Sequence, residues 1–279
     1  MSKPGAHGTH LLDLGEELLK DGPHKFEPAK RRVRVIHNGV TIVDTTQALY
    51  VWEHAFYPQF YVPQSSLKDC QWKDDQKREY QTPKGDKVYV SQVNLLVPGR
   101  EGRKDVQTNR VLRFASSNNS PSITGEEKTH PLLGLIRLEF GSMDQWLEED
   151  APIHIHPKDP YKRLDLLPSS RPVEIRINGR TIAKSASSVH LHETGLPTRY
   201  YLPLASVDQS VLQPSSLKTY CPYKGEAEYY SVRFDGKLHE NVVWYYRYPI
   251  IECAAIAGLV CFYNEKLDIL LDGELLKRP

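Results

Sequence analysis

"VRVIHNGVTIVD", Val33 to Asp44, has the pattern of a β-hairpin. Apolar residues alternate on either side of Asn38-Gly39. A two-residue type I′ turn needs positive φ at both central positions, which Asn and Gly tolerate best. "VEIRINGRTIAK", Val173 to Lys184, repeats the pattern at a constant offset of 140. There Val173, Ile175 and Ile177 share one face, and Glu174 and Arg176 share the other.

The repeat continues beyond the hairpin. Glu53 corresponds to Glu193, Tyr61 to Tyr201 and Pro63 to Pro203. Farther on, "GLIRLEFGSMD" (Gly134 to Asp144) parallels "GLVCFYNEKLD" (Gly258 to Asp268) at an offset of 124. "SSLK" occurs at Ser65–Lys68 and again at Ser215–Lys218, and each is followed by Cys-x-aromatic-Lys, Cys70 to Lys73 and Cys221 to Lys224. Cys70 to Gly134 spans 64 positions against 37 from Cys221 to Gly258, which assigns 27 extra residues to the first copy. The polar stretch 98–131 is the expected place for them, as an exposed insertion with one strand inside.

The expected architecture is mainly β: two tandem homologous small antiparallel domains with a few short helices. An N-terminal extension covers 1–30, the first repeat 31–150, a proline-rich linker 151–171 and the second repeat 172–275. In "HLLDLGEELLK" the stripe Leu11, Leu14, Leu18 predicts a helix, which Gly15 weakens. In "SMDQWLEE", Ser142 followed by Gln145 three residues on has the form of a capping box and predicts a second helix.

Of the 279 residues, 39% are hydrophobic and 25% charged, the balance of a folded globular chain. A net charge of +1 supplies no global field for nucleic acid or an anionic membrane, so neither is an expected partner. Lys30, Arg31, Arg32 and Arg34 are expected to form a solvated strand edge. The longest apolar run, Cys253 to Tyr263, is 11 residues, below the ~20 that span a bilayer. "MSKPGAHGTH" lacks the apolar core of an export signal, so the expected location is the cytosol, with the nucleus as the alternative. Cys70, Cys221, Cys253 and Cys261 are then expected as free thiols. None form a CxxC pair, and neither a metal nor a cofactor is expected.

The segments "DQWLEEDAPIHIHPKDPYKRLDLLPSSR", "ETGLPTRYYLP", "CPYKGEAEYYSV" and "IAGLVCFYNEKLD" resemble the family catalogued as domain of unknown function 427, which also carries a nucleotidyltransferase-like label. The resemblance is to its two-copy members, and "VDTTQALYVWEHAFYPQFYVP" is similar to the first copy of fungal relatives. It covers most of residues 31–275 and implies a small antiparallel fold of the β-tent kind in each copy. The chain departs from the family at Trp244-Tyr-Tyr246-Arg247-Tyr248-Pro249, where Trp-Ser-Tyr-Pro is usual. The first copy also lacks the Gly-Glu that follows Lys224.

Three chemistries compete. Nucleotidyl or other group transfer needs clustered carboxylates for Mg²⁺ and a Gly-rich phosphate loop, and neither motif is present in the sequence. A Cys221 nucleophile needs a base or a depressed pKa, and its match to Cys70 argues for packing instead. His154-x-His156 and His190-x-His192 have metal-ligand spacing, but solvent-facing histidine is the favoured reading of both pairs. What remains is a cleft in the second repeat that binds a small polar or anionic molecule, with catalysis left open. Its expected lining is Glu193, Arg199, Tyr200, Tyr201, Lys224, Glu226, Trp244 and Tyr246. Lys224 and Glu226 flank Gly225 and should share one face, with Cys221 turned away. The rival is a non-catalytic module that binds a protein or peptide on the same aromatic surface. No catalytic residue and no oligomeric state are assigned.

Overall fold

The computed structural model describes residues 10–82, 85–116 and 130–279. It contains two compact units, Met1–Pro157 and Lys158–Pro279. The first unit opens with helix α1 (Leu11–Lys20) and strands β1 (Lys25–Pro28), β2 (Val33–His37), β3 (Val40–Thr45), β4 (Leu49–Trp52) and β5 (Gln59–Pro63). Three long strands follow: β6 (Gln71–Gln81), β7 (Lys87–Val97) and β8 (Val106–Ser116). Then come β9 (Leu135–Leu138), β10 (Gln145–Glu148) and β11 (Ala151–Ile153). They form a seven-stranded sheet, β1-β4-β5-β9-β8-β7-β6, and a four-stranded sheet, β11-β10-β2-β3.

The second unit runs β12 (Leu164–Ser169), β13 (Val173–Ile177), β14 (Arg180–Ser185), β15 (Ser188–Glu193), β16 (Arg199–Leu202) and β17 (Leu212–Cys221). It continues with β18 (Gly225–Phe234), β19 (Lys237–Tyr245), β20 (Val260–Phe262), β21 (Asp268–Leu271) and β22 (Glu274–Leu275). Its sheets, β12-β15-β16-β20-β19-β18-β17 and β14-β13-β21-β22, repeat the first unit strand for strand. The tandem duplication is therefore a property of the topology as well as of the sequence.

The hairpins set both small sheets. Asn38 and Gly39 have φ of 52° and 72°, and Asn178 and Gly179 have 49° and 79°, the signature of type I′ turns. Even the irregularity is shared: pairing shifts between Val35 and Ile36 in one hairpin and between Ile175 and Arg176 in the other. The inward residues Val33, Val35 and Ile42 pack between the sheets with Phe60, Val62, Val111 and Trp146. In the second unit Val173, Ile175 and Ile182 meet Leu202, Val243 and Phe262.

Several expectations are corrected. The second helix does not form: Phe140–Ser142 is one 3-10 turn, and Gln145–Glu148 is strand β10 beside β2. The Ser142 hydroxyl bonds back to Glu139 O instead of capping a helix. Trp146, 2% exposed, anchors the strand in the core and overrides the local signal. The "SSLK" match is accidental. Lys68 N bonds Ile42 O, and the equivalent bond is from Asp208 N to Ile182 O, again at an offset of 140. Ser215–Lys218 lies inside β17, while Cys70 precedes β6 and Cys221 ends β17, so the two cysteines are not counterparts.

With the offset falling from 140 to 124, the first copy is longer by 16 residues, not 27. The supposed insertion includes β8, which occupies the position of β19 and so belongs to the shared framework. Its Ser/Asn-rich part, 117–129, lies outside the described residues. The stretch read as a linker contributes β11 and β12, and the N-terminal extension contributes α1 and edge strand β1. The basic cluster is neutralised locally: Arg31 pairs with Glu148, Arg32 with Asp44 and Arg34 with Asp150. Among the described residues no helix is long and apolar enough to cross a membrane.

Helix α1 covers the outer face of the first unit's large sheet. Leu11, Leu12, Leu18 and Leu19 pack on Val88, Val90, Leu112 and Phe114. Gly15 makes that approach possible, because a Cβ there would lie 2.6 Å from Val90 Cγ2 and 3.2 Å from Leu112 Cδ1. Gly15→Ala is therefore expected to destabilise the protein by about 1–3 kcal/mol through overpacking, despite alanine's higher helix propensity. Chemical denaturation of the variant checks this, and a gain in stability would refute the packing account.

Candidate functional site

Glu193 ends β15 with its side chain 6% exposed. A buried carboxylate stays ionised only with partners. Lys224 Nζ lies 2.5 Å from Glu193 Oε2, and Lys162 Nζ lies 3.6 Å from Oε1. Lys224 sits in the turn between β17 and β18, where its N–H bonds Cys221 O at 3.3 Å. The Lys224 carbonyl accepts from Ile250 N at 3.1 Å, and Cys253 Sγ lies 3.2 Å from Tyr223 O. The Tyr223 hydroxyl accepts from Asp159 N at 2.7 Å. Burial alone would push the Lys224 ammonium down, but neighbouring Cys221 and Glu193 outweigh it and hold its pKa above the ordinary lysine value.

Gly225 explains why Lys224 and Glu226 part. Its φ of +100° resets the strand, and Tyr248 O lies 3.4 Å from where a Cβ would stand. Lys224 turns inward to Glu193, whereas Glu226 stands on the exposed face and accepts from Lys218 at 2.6 Å. The shared face expected of these two residues does not exist.

The aromatic residues also divide. Tyr201, Trp244 and Tyr246 are all under 9% exposed and pack with Tyr229, Cys253, Ile256 and Cys261 on the outer face of the large sheet. Trp244 Nε1 donates to the Tyr201 hydroxyl at 3.1 Å. These rings form a core and do not wall an open cleft. Arg199 lies 5.5 Å above the Trp244 ring and holds Glu265 at 2.6 and 2.9 Å. Tyr200 points the other way, into the core between the sheets, edge-on to His190 at 4.8 Å.

One open cleft of this unit, about 320 Å³, lies at the end of β15, and another, of about 350 Å³, is lined by Gln213, Ser231 and Asn241. Of the residues assigned from sequence, Glu193 alone lines the first, together with Arg163, Asp165, His192, Leu196 and Thr198. Arg163 Nε donates to Asp165 at 2.8 Å, and Thr198 Oγ1 lies 3.2 Å from His192 Nδ1. Sequence reasoning considered His192 only as a metal ligand and missed Lys162, Asp165 and Thr198. The 140 offset, carried back to residue 165, would have flagged these positions by their difference between copies.

The first unit shows what the fold itself requires. Glu53, the counterpart of Glu193, is also buried, and Arg137 holds it at 2.5 and 3.1 Å while the Tyr61 hydroxyl donates at 3.0 Å. Arg137 corresponds to Cys261, so the two copies answer the same carboxylate with cations from different elements.

The histidines are not uniformly solvent-facing. His190 is buried against Ser188 at 3.1 Å, and His156 stacks on Tyr57 at 3.9 Å. Among the described residues no three His, Cys, Asp or Glu side chains gather to hold a metal. Burial pushes the Cys253 thiol up to about 11 and the Cys261 thiol up to about 12. Cys221 and Cys70 are half-buried.

The chain belongs to the family described as domain of unknown function DUF427, whose pattern matches residues 25–120 and again 165–273, one match in each unit. No curated protein matches it.

Two outcomes follow from this packing. Lys224→Ala is expected to cost about 3–5 kcal/mol, because it strips a buried carboxylate of its closest cation. Glu226→Ala should leave the stability close to the parent's, since that side chain stands on the solvent side. Denaturation curves for the two variants decide; equal midpoints would refute the pairing. A thiol reagent at pH 8 should label Cys70 and Cys221 in the native protein and spare Cys253 and Cys261. In the unfolded chain these two thiols ionise near 9.0, but when folded at about 11 and 12. Their stabilisation is full below pH 9 and is lost as pH rises through that window. An alkaline unfolding series that stays flat from pH 9 to 12 would contradict this.

Proposed function

We propose that the protein binds a small polar molecule in the cleft of its second unit, beside Glu193. One observation carries this reading. The cleft adjoins a buried carboxylate set between two lysines, and its wall carries Arg163, Asp165, His192 and Thr198 on sheet strands and their ends. Its volume of about 320 Å³ lies at the small end of ligand sites. The charged and hydroxyl groups there offer both donors and acceptors, which suits a polar metabolite that carries a carboxylate, phosphate or hydroxyl group.

A second reading, docking of a protein partner, draws support from Tyr248 and Ile251, which are 83% and 87% exposed. Nucleotidyl transfer gains no support, because no carboxylate cluster suited to Mg²⁺ occurs among the described residues.

The test is a thermal-shift panel of small carboxylates, phosphates, nucleotides and polyols, with and without Mg²⁺. At least one compound should raise the melting temperature of the parent. Arg163→Ala should melt like the parent alone, since the side chain is 80% exposed, yet lose the compound's effect. A panel with no shift, or a variant that responds like the parent, would sink the cleft reading. Loss of the response in Tyr248→Ala instead would favour docking.

A further inference from the structure

Asp165, His192 and Thr198 form one row across three neighbouring strand positions. Asp165 is the cross-strand partner of His192 in the pairing of β12 with β15. Leu191 faces Arg199 in the pairing of β15 with β16, so the next antiparallel step sets His192 opposite Thr198. Thr198 Oγ1 lies 3.2 Å from His192 Nδ1, and all three residues line the cleft. His192 itself is exposed.

The first unit is an internal control for this row. At the same offset of 140 it carries Lys25, Trp52 and Pro58, with Lys25 paired to Trp52 just as Asp165 is to His192. There the Lys25 ammonium lies 4.7 Å above the Trp52 ring, a packing contact. The same three strands are therefore built without an acid, an imidazole or a hydroxyl at these places. The carboxylate–imidazole–hydroxyl row is peculiar to the second copy, and the architecture does not demand it.

We propose that His192 is a proton-transfer group for hydrolysis of a small ester or related acyl compound in this cleft, an inference that rests on the cleft being the ligand site. Thr198 is a positioning residue, through its contact with His192 Nδ1. With Nδ1–H donated to Thr198 Oγ1, Nε2 is the basic nitrogen. Nε2 takes a proton from water, and the water oxygen bonds to the acyl carbon. The bond from that carbon to the leaving oxygen breaks, and the imidazolium returns its proton to that oxygen. The products are an acid and an alcohol, and only water is consumed. The charged groups that line the cleft with the ring are Asp165 on β12, Arg163 just before it and Glu193 on β15 itself.

The probe is p-nitrophenyl acetate, hydrolysed by the full-length protein from pH 5 to 9. His192→Gln should lower kcat/KM at least about tenfold, while His154→Gln, an exposed histidine outside the cleft, should not. Thr198→Val should lower kcat a few-fold and move the His192 proton between ring nitrogens, read by ¹⁵N NMR. Melting curves confirm that each variant is folded. Parent-like rates in His192→Gln, or an equal loss in His154→Gln, would overturn the proposal. If carboxylates or phosphates shift the Thr194 and Thr198 resonances but hydrolysis does not depend on His192, proton transfer fails and the cleft stands. If neither occurs, both fail.

Discussion

A carboxylate withdrawn from water at the end of a strand is the constraint around which each unit is arranged. Glu53 and Glu193 hold corresponding positions, and both are almost fully buried. An ionised carboxylate in such a place costs several kcal/mol unless a cation and hydrogen bonds offset it. In the first unit the cation comes from within the sheet, as Arg137 on β9, and its guanidinium fork spans both carboxylate oxygens. In the second unit the corresponding residue is Cys261, and the cation arrives from outside the sheet through the turn that carries Lys224. That substitution decides what surrounds each site. The first copy is closed by its own strands, through Arg137 and the Tyr61 hydroxyl. The second depends on the turn 222–224, and therefore on the segment from Ile250 to Cys253 that hydrogen-bonds it.

Duplication turns one half of the molecule into a reference for the other. The Asn-Gly turns, the hairpin irregularities, the strand order and the buried Glu and Tyr recur, so they serve the fold. The outer face of the large sheet does not recur. Through the pairings of β9 with β8 and of β8 with β7, Arg137, Leu112 and Gln92 stand where Cys261, Trp244 and Tyr229 stand in the second unit. On the first unit's face Val88, Val90, Leu112 and Phe114 receive a helix, and α1 lies on them with Gly15 at the closest point. An aromatic face with phenols and an indole needs polar partners as it packs, which the Trp244 to Tyr201 bond supplies.

How much of this was legible in the sequence follows from the range of each signal. The hairpins were, because a two-residue turn and period-2 alternation are local. The helix expected at Ser142 failed because the capping pattern is weak beside the burial of Trp146. "SSLK" misled because four residues match by chance more readily than a long run at fixed offset. Glu193 and Lys224 do meet as a buried pair, each having stood out in a motif rich in charge, whereas Tyr201 belongs to the aromatic core beside Trp244. Glu226 was misplaced because alternation was carried through a glycine with positive φ, where it does not hold. The row Asp165, His192, Thr198 was invisible, since it depends on register across three strands and on residues 27 positions apart in β12 and β15.

The turn that delivers Lys224 joins the buried pair to the rest of its unit more loosely than Arg137 does. Arg137 belongs to a strand paired on both sides, so its position is fixed by the sheet. Lys224 is fixed by the fit of a three-residue turn, by its carbonyl's bond to Ile250 and by the contact of Cys253 with Tyr223 O. A connection of few hydrogen bonds opens at lower free energy than a central strand. Glu193 lines the cleft on one side and meets Lys224 on the other. A charge brought to the cleft therefore acts on the same carboxylate that anchors the turn. In the first copy that coupling is absent because the sheet supplies the cation, and in the second it is a consequence of one residue, Cys261, being too small and uncharged to do so.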